Sequence, residues 1–130
     1  MAEILYKDES YKIRGATFDV YKKFRNRHKE IIYQRSLAQS LENQGLAITR
    51  EHQIPIFYLD KKVGTYTPDI VVENKIFIEV KAKPFLHRDD VLQFWYYLKS
   101  SDFKVGYLIN FGAPNGVQII RRVYDSARKV

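Results

Sequence analysis

The segment Asp69–Lys81 constrains the fold more than any other part of the chain. Its sequence, DIVVENKIFIEVK, has two runs rich in β-branched and aromatic residues on either side of Glu73-Asn74-Lys75. Such runs around a short polar loop are typical of a β-hairpin. The chain must therefore build its core around a pair of adjacent antiparallel strands in this region.

A three-residue loop sets the register of this hairpin, because the strands then pair outward from the loop ends. Asp69 is then directly opposite Glu79. Side chains alternate between the two faces of a strand. One face is wholly apolar and is expected to pack on the core; it carries Ile70, Val72, Ile76, Ile78 and Val80. The other face carries Asp69, Val71, Phe77, Glu79 and Lys81.

Helical periodicity occurs in three segments. Apolar and weakly polar residues recur at steps of four and three from Ser10 to Phe24, with Ser10 as the expected N-cap. A second helix is predicted from about Glu30 until Gly45, where a C-terminal cap is expected. A third is predicted to run to about Ser101, capped by Asp89 or Asp90.

Further strands are predicted on both sides of the third helix. Residues 46–59 are rich in Ile, Phe and Tyr, and residues 60–64 supply a turn before the next extended run. Two more strands are predicted at Val105–Phe111 and Val117–Val123. The order ααββββαββ predicts an α/β fold with a mixed β-sheet flanked by helices. Because no linker or repeat is present, a single domain is expected over residues 1–130.

Composition narrows the possible functions. The chain has no cysteine, which excludes disulfide scaffolds, thiolate zinc sites and cysteine nucleophiles and fits a reducing compartment, so a cytoplasmic location is expected. No signal sequence or apolar membrane span is found, and no membrane association is expected. The net charge of +7 favours a polyanionic partner.

The polar end of the hairpin predicts a metal site. Opposed carboxylates repel each other, and a bound cation reverses that cost. Oxygen ligands suit Mg²⁺ or Mn²⁺, which complete their coordination with water and substrate phosphate. Lys81, on the same face as Asp69 and Glu79, can orient a water or stabilise developing negative charge. The alternative from the residues alone is a solvated strand face with charged side chains at alternate positions.

Pro68-Asp69, followed after nine residues by Glu79-Val80-Lys81, resembles the PD-(D/E)XK signature of the restriction-endonuclease-like nucleases. More narrowly, the chain is similar to the GxxExxY protein family from about Ile13 to Val123. Arg27 replaces the glycine that names that family, whereas Glu30 and Tyr33 match its motif.

The resemblance implies a restriction-endonuclease-like fold and adds further site residues. Glu30 corresponds to the superfamily's helix carboxylate and is expected to be a third or water-mediated metal ligand. The Val80 carbonyl is expected to be another ligand, beside Asp69 and Glu79. Gln93 and Tyr97 match a QxxxY motif that positions the nucleic-acid strand, and one helical turn aligns them.

Basic residues near these motifs are expected to contact the nucleic-acid backbone without recognising bases. They are Arg25, Arg27 and Lys29, before Glu30, and Lys83, just beyond the hairpin. For Lys83, a solvated strand-end lysine is the alternative.

The sequence therefore predicts a Mg²⁺-dependent or Mn²⁺-dependent nuclease that hydrolyses phosphodiester bonds in nucleic acid, with DNA as the expected substrate. Asp69, Glu79 and Lys81 would be its catalytic residues. One alternative is a catalytically inactive nucleic-acid-binding or adaptor domain that kept the fold. Another is a structural protein-interaction module without metal dependence. A homodimer is a further expectation, because a chain this small often needs a second copy to hold a duplex.

Overall fold

The computed structural model describes residues 4–125, which form three helices and seven strands in the order ααβββββαββ. The helices are α1 (Lys7–Phe24), α2 (Glu30–Asn43) and α3 (Arg88–Ser100). The strands are β1 (Ile48–Thr49), β2 (Ile54–Tyr58), β3 (Lys61–Tyr66), β4 (Ile70–Val72), β5 (Ile76–Lys81), β6 (Val105–Asn110) and β7 (Gln118–Val123). Within residues 4–125, no helix is long and apolar enough to cross a membrane.

Five of the strands form one mixed sheet in the order β1-β4-β5-β6-β7. Strands β5 and β6 are parallel and are connected through α3, while the other neighbours are antiparallel. In the described part of the chain, strands β2 and β3 form a separate two-stranded sheet and pair only with each other. The predicted α/β architecture, a mixed sheet flanked by helices, is therefore confirmed.

The stretch 46–66 differs in detail from the prediction. Residues 46–59 are not one extended run, because a turn with Glu51 at a φ of 62° separates β1 from β2. The β2–β3 turn consists of Leu59 and Asp60, with φ values of 49° and 63°. Lys61–Gly64 therefore lie in β3 and not in the turn. Two consecutive left-handed residues match the twist of a tight hairpin, so the turn is shorter than its composition suggested.

Two helix starts also differ from the prediction. Helix α1 begins at Lys7, so Ser10 is a buried residue inside the helix and not its N-cap. Helix α3 begins at Arg88, and neither Asp89 nor Asp90 is the N-cap. The Asp90 carboxylate instead accepts a hydrogen bond at 3.0 Å from the backbone N–H of His87, reaching back from the first turn.

The C-terminal cap of α2 is as predicted. Gly45 has a φ of 85°. Its N–H donates to the Glu42 carbonyl at 2.9 Å, and the Leu46 N–H donates to the Leu41 carbonyl at 3.2 Å. These two bonds form a Schellman motif, in which glycine adopts the left-handed conformation without a Cβ clash.

The hairpin register is confirmed, because Ile70 pairs with Ile78 and Val72 with Ile76. Its apolar face packs in a core with α1 and α2. The opposite face is also buried over part of its length, since Val71 and Phe77 pack with Phe94 and other residues of α3. The sheet is thus covered on both sides. On the α3 side, the polar side chains of β5 therefore lie at its C-terminal end, beyond the apolar residues that α3 covers.

Candidate active site

Asp69 and Glu79 lie side by side at this end of the hairpin, as the register predicts. The backbone N–H of Asp69 donates to Oε1 of Glu79 at 3.2 Å, and the backbone N–H of Val80 donates to Oδ2 of Asp69 at 2.7 Å. Each of these hydrogen bonds uses one of the two oxygens of its carboxylate, which leaves the other oxygen of each carboxylate to ligate a cation. The pair is therefore oriented by the backbone and has the oxygen chemistry that a divalent cation requires.

Pro68 explains why the Val80 carbonyl belongs to the same site. Extending the Ile70–Ile78 register by two residues puts Pro68 opposite Val80. In a strand, the N–H and C=O of one residue point the same way, and the Val80 N–H points to Asp69. Proline has no N–H to donate across the ladder. The Val80 carbonyl thus lies on the Asp69 side of β5 with no donor from the residue opposite.

Both carboxylates are partly removed from water. Burial and the nearby charge of Asp69 raise the pKa of Glu79 to about 7. Burial also raises the pKa of Asp69, against the opposing effects of the Val80 N–H and the charges of Lys81 and Arg50. Two like charges in a half-buried position disfavour each other. A cation between them would remove that penalty, so this donor set fits Mg²⁺ or Mn²⁺.

Lys81 is on the same side as the carboxylate pair. Its positive charge lowers the pKa of Asp69, of Glu79 and of Glu30. The side chain is half-buried at the end of β5, where Lys81 pairs with Asn110 of β6. The structure thus brings the three residues of the predicted catalytic motif together.

Glu30 is the first residue of α2 and faces the site from the helix side. Partial burial and the charge of Asp69 raise its pKa. Its Oε2 accepts a hydrogen bond from Nε2 of Gln34 at 3.1 Å. Among residues 4–125, no three acidic or histidine side chains form a preassembled metal cluster. Glu30 is thus near the Asp69–Glu79 pair without being packed against it, which suits contact through water better than direct coordination.

Arg50 belongs to the site, although no sequence motif marks it. It lies between β1 and β2, and its guanidinium donates to Oε1 of Gln34 at 2.9 Å. Gln34 in turn donates to Glu30, so the three side chains form one hydrogen-bonded chain. A cleft of about 370 Å³ opens beside Asp69 and is lined by Arg35 and Arg50. Two cations face two acids in this cleft, Glu51 and Asp69, and the two guanidinium groups are the donors there for a phosphate group.

Tyr66, the last residue of β3, is a second site residue that carries no sequence signal. Burial and the charge of Glu79 raise the pKa of its hydroxyl, so it remains protonated. The hydroxyl is close enough to lower the pKa of Glu79 as a donor does, although its geometry falls outside that of a full hydrogen bond.

Of the two QxxxY residues, Tyr97 is half-buried and Gln93 is exposed on α3. The Tyr97 ring stacks on Tyr66 with centroids 3.8 Å apart and an interplanar angle of 8°. One face of Tyr97 is therefore occupied within the protein. Tyr97 thus contacts Tyr66, and the Tyr66 hydroxyl in turn lies near Glu79 of the carboxylate pair.

The basic segment occupies the loop between α1 and α2. Arg25, Arg27 and Lys29 are exposed there, immediately before Glu30. The Arg25 carbonyl accepts a hydrogen bond from the Tyr33 hydroxyl, and its guanidinium lies 5.6 Å from the centre of the Tyr21 ring. The loop is thus anchored through its backbone while Arg27 and Lys29 point to solvent.

Lys83 is in a different situation. Its Nζ is 2.8 Å from each carboxylate oxygen of Asp90. Two of the three ammonium N–H groups are used in this ion pair, which leaves one donor for a phosphate and largely neutralises the charge of Lys83.

The end of β5 is held by Asn110, which is fully buried. Its Oδ1 accepts hydrogen bonds from the N–H groups of Lys83 at 2.9 Å and Gly112 at 3.2 Å. Its Nδ2 donates to the Lys83 carbonyl at 3.0 Å and to Oε1 of Gln118 at 2.8 Å. All four hydrogen-bonding positions of the amide are thus used to fix the backbone two residues beyond Lys81.

A sequence profile described as PD-(D/E)XK nuclease superfamily matches residues 7–123, nearly the whole chain. The chain belongs to the PD-(D/E)XK nuclease superfamily. The restriction-endonuclease-like fold predicted for it is confirmed, while the narrower resemblance to the GxxExxY family stays a prediction.

Among solved structures, this superfamily member is similar to an alkaline exonuclease from Laribacter hongkongensis, with 13% identity and a TM-score of 0.46. The alignment covers 69% of this chain and 53% of the exonuclease, so the chain spans about half the length of that protein. No curated protein sequence is significantly similar to the chain.

Proposed function

We propose that this superfamily member is a divalent-metal-dependent nuclease that hydrolyses phosphodiester bonds, with DNA as its substrate. The observation that carries the proposal is the Asp69–Glu79 pair, two carboxylates held side by side by backbone hydrogen bonds. Such a pair is unfavourable in itself and becomes favourable with a cation.

Asp69, Glu79 and the Val80 carbonyl would hold Mg²⁺ or Mn²⁺ directly, and Glu30 would contact it through water. When bound, the metal supplies Lewis-acid polarisation of a phosphoryl oxygen and a water of lowered pKa. The backbone N–H groups of Asp69 and Val80 keep the two carboxylates in place. Tyr66 stays protonated, and its hydroxyl favours the ionised form of Glu79, against the burial that raises the pKa of that carboxyl.

Lys81 supplies positive charge on the substrate side of the pair. Its ammonium would stabilise the negative charge that develops on the phosphate in the transition state or orient the attacking water. The same charge favours the ionised form of both carboxylates, against the burial that raises their pKa values.

Nucleic-acid binding is assigned to cations around the site. Arg35 and Arg50 line the cleft beside Asp69, and Arg27 and Lys29 precede Glu30. Gln93, exposed on α3, would also contact the strand, as the QxxxY resemblance implies. These side chains would contact phosphates and position the strand without recognising bases.

Incubation with labelled single-stranded and double-stranded DNA and RNA, with Mg²⁺, Mn²⁺ or EDTA, tests the proposal directly. We expect cleavage of DNA only with metal, and Asp69→Asn should lower its rate at least about 100-fold by removing a metal ligand. Asp102→Asn, at an exposed position between α3 and β6, is the matched control and should cleave at the wild-type rate.

Two outcomes would contradict the proposed activity. Cleavage that persists in Asp69→Asn would come from a contaminating enzyme or another site. Binding of nucleic acid without cleavage under every metal condition would identify an inactive binding domain that kept the fold.

A further inference from the structure

The β2–β3 hairpin stands apart from the main sheet. Within residues 4–125, its strands pair only with each other. Its base is anchored by Ile54 and Tyr66, which pair across the hairpin and are buried in the core on the α3 side. The Tyr66 ring also packs edge-on against Phe77, with centroids 5.5 Å apart. Because an isolated two-stranded hairpin is marginally stable in water, this packing holds the element in place.

The outer half of the hairpin is exposed, although it carries large apolar side chains. Four of them lie within seven positions: Phe57, Tyr58, Leu59 and Val63, which are 55%, 68%, 83% and 62% exposed. Removing such surface from water is favourable, and the fold itself does not do so. Exposed apolar clusters of this kind mark interaction surfaces. We call residues 57–63 the hairpin tip.

The register places an aromatic ring beside a lysine on each face of the tip. Phe57 is opposite Lys62, and Tyr58 is opposite Lys61. Opposed residues share a face, and successive pairs lie on opposite faces. In the described part of the chain, neither lysine forms an ion pair. Each face therefore offers a positive charge next to an exposed ring.

The hairpin is continuous with the candidate active site. Val63 is the extra residue of a bulge in β3, so side chains alternate without interruption along β2. Tyr58 therefore lies on the same face as Ile54 and its partner Tyr66. At the base of this face, Tyr66 approaches the carboxylate pair, and Asp69 follows it by three residues. A ligand bound along the hairpin would thus lead to the carboxylates.

Nucleic acid fits the tip better than a second copy of the chain does. A second copy would place lysines against lysines, and lysine at a strand edge opposes pairing with another edge. Nucleic acid provides phosphates for the lysines and base faces for the rings. An anionic membrane would also match the lysines and the apolar side chains. It would, however, leave the continuity with the carboxylate pair without a role.

The side chains of the hairpin favour unpaired bases over a duplex groove. Residues 54–66 have no arginine, asparagine or glutamine, whose planar ends form paired hydrogen bonds with base edges in a groove. Aromatic rings instead stack on base faces, which are open where bases are unpaired and splayed out. Stacking of this kind contributes much of the affinity for single strands.

We propose that the hairpin tip binds an unpaired segment of a nucleic-acid strand, with bases stacked on Phe57 and Tyr58 and phosphates contacted by Lys61 and Lys62. A strand that crosses the turn at Leu59 reaches both faces. The substrate class is then nucleic acid with a single-stranded segment. This inference rests on the proposed function in one respect, that the bound strand is the one that reaches the carboxylate pair.

Fluorescence anisotropy in EDTA, with labelled oligothymidylate of about 20 nucleotides, tests binding without cleavage. Phe57→Ala and Tyr58→Ala should each weaken binding about tenfold, the loss expected for one stacked base. Affinity for an abasic strand of the same length, which keeps the phosphates and lacks the bases, should be unchanged. Tyr58→Phe keeps the ring and should bind as the wild type does.

The lysines should behave in the opposite way toward the abasic strand. Replacing Lys61 and Lys62 together by alanine should weaken binding to both strands. The salt dependence should become shallower by about 0.7 per lost single-strand contact. Tyr11→Ala is the control for an exposed tyrosine, because Tyr11 is 80% exposed on α1, and it should leave both affinities unchanged. Melting temperatures should be unchanged in all these variants, since the positions are exposed.

Several results would overturn the proposal. Wild-type protein that does not bind oligothymidylate, or tip variants that bind it as the wild type does, would remove the tip from the nucleic-acid surface. An equal loss of affinity for a blunt duplex would show that the tip enters a groove. Loss of binding to phosphatidylserine vesicles in Tyr58→Ala, with oligothymidylate affinity unchanged, would identify a membrane surface instead.

Failure of the proposed nuclease activity gives a different pattern. Nucleic acid that stays uncleaved under every metal condition, while Tyr58→Ala still weakens oligothymidylate binding, would refute the activity and support the tip. Metal-dependent cleavage with wild-type binding in the tip variants would refute the tip alone.

Discussion

At the scale of single residues, the protonation of Glu79 is the feature with the clearest measurable consequence. Its pKa is about 7 in the folded chain, against 4.5 for an ordinary glutamate. The causes are burial and the adjacent charge of Asp69, both of which disfavour the ionised form. In metal-free protein, the folded state therefore binds more protons than the unfolded state at mildly acid pH.

This difference predicts how stability depends on pH. The contribution of Glu79 to the free energy of unfolding is fully present below about pH 4.5 and is lost as the pH rises through about 7. A shift of this size corresponds to about 3–4 kcal/mol, at about 1.36 kcal/mol per pKa unit. Glu79→Gln, which cannot ionise, should lack this contribution and lose less stability between pH 5 and pH 7.5.

Urea denaturation in EDTA at these two pH values measures the difference. Glu42→Gln, at an exposed position of α2, is the matched control and should retain the wild-type dependence. An equal loss of stability in wild type and Glu79→Gln would mean that Glu79 is ionised in the folded metal-free chain.

At the scale of elements, the hairpin β4–β5 connects the core to the candidate site. Ile78 is fully buried on its α1–α2 face, one residue from Glu79. Ile78→Ala should lower the free energy of unfolding by about 2–5 kcal/mol, through lost burial and the cavity that remains. Chemical denaturation measures this change.

Val63→Ala is the control, because Val63 is 62% exposed in β3. It should change stability by less than about 0.5 kcal/mol. A near-neutral effect of Ile78→Ala would show that the buried face of the hairpin is assigned wrongly.

The segment after β6 also has a strict requirement, at Gly112. A Cβ at this position would be 2.4 Å from the Lys83 backbone nitrogen and 2.5 Å from the Ala82 carbonyl carbon. These are backbone atoms, so the segment beyond Lys81 would have to move. Gly112→Ala should therefore lower both the melting temperature and the rate of metal-dependent cleavage.

Gly15→Ala provides the matched comparison. Gly15 is in the middle of α1, and apart from the neighbouring backbone of its own helix, no atom of residues 4–125 lies within 4 Å of its added Cβ. Alanine is favoured over glycine in a helix by about 0.8–1.0 kcal/mol, so this variant should be stabilised and keep its cleavage rate. Equal behaviour of the two alanine variants would contradict the close approach at Gly112.

At the scale of the whole molecule, the net charge of +7 and the exposed basic loop before Glu30 favour a polyanionic substrate. Replacing Arg25, Arg27 and Lys29 together by alanine should weaken nucleic-acid binding similarly for all sequences. The salt dependence of binding should become shallower by about 0.9 per lost duplex-DNA contact. Turnover at saturating substrate should fall far less than in Lys81→Ala, since the loop contributes binding that is equal in ground and transition states.

Binding isotherms over a range of salt concentrations measure the slope. A second triple variant at exposed cations elsewhere, Lys7, Arg14 and Arg122, has the same net charge and controls for long-range electrostatics. If both triple variants bind alike, overall charge rather than the loop is responsible.

The sequence alone predicted the hairpin register, the three helices, the alternation of helices and strands and the proximity of Asp69 and Glu79. These features depend on short-range geometry: side chains alternate in strands, repeat every 3.6 residues in helices, and pair outward from a short loop. The turn at Leu59-Asp60 and the start of α1 were misplaced, because propensity marks element ends less sharply than element interiors.

The tertiary structure alone decided which side chains surround the carboxylate pair. Arg50 joins the site through Gln34, Tyr66 lies between Glu79 and Tyr97, and Lys83 is paired with Asp90. The Arg121 guanidinium likewise donates to the Leu5 carbonyl, 116 positions away in the chain. Periodicity and spacing along the chain carry no information about such contacts, because the packing of helices on the two faces of the sheet determines which distant residues meet.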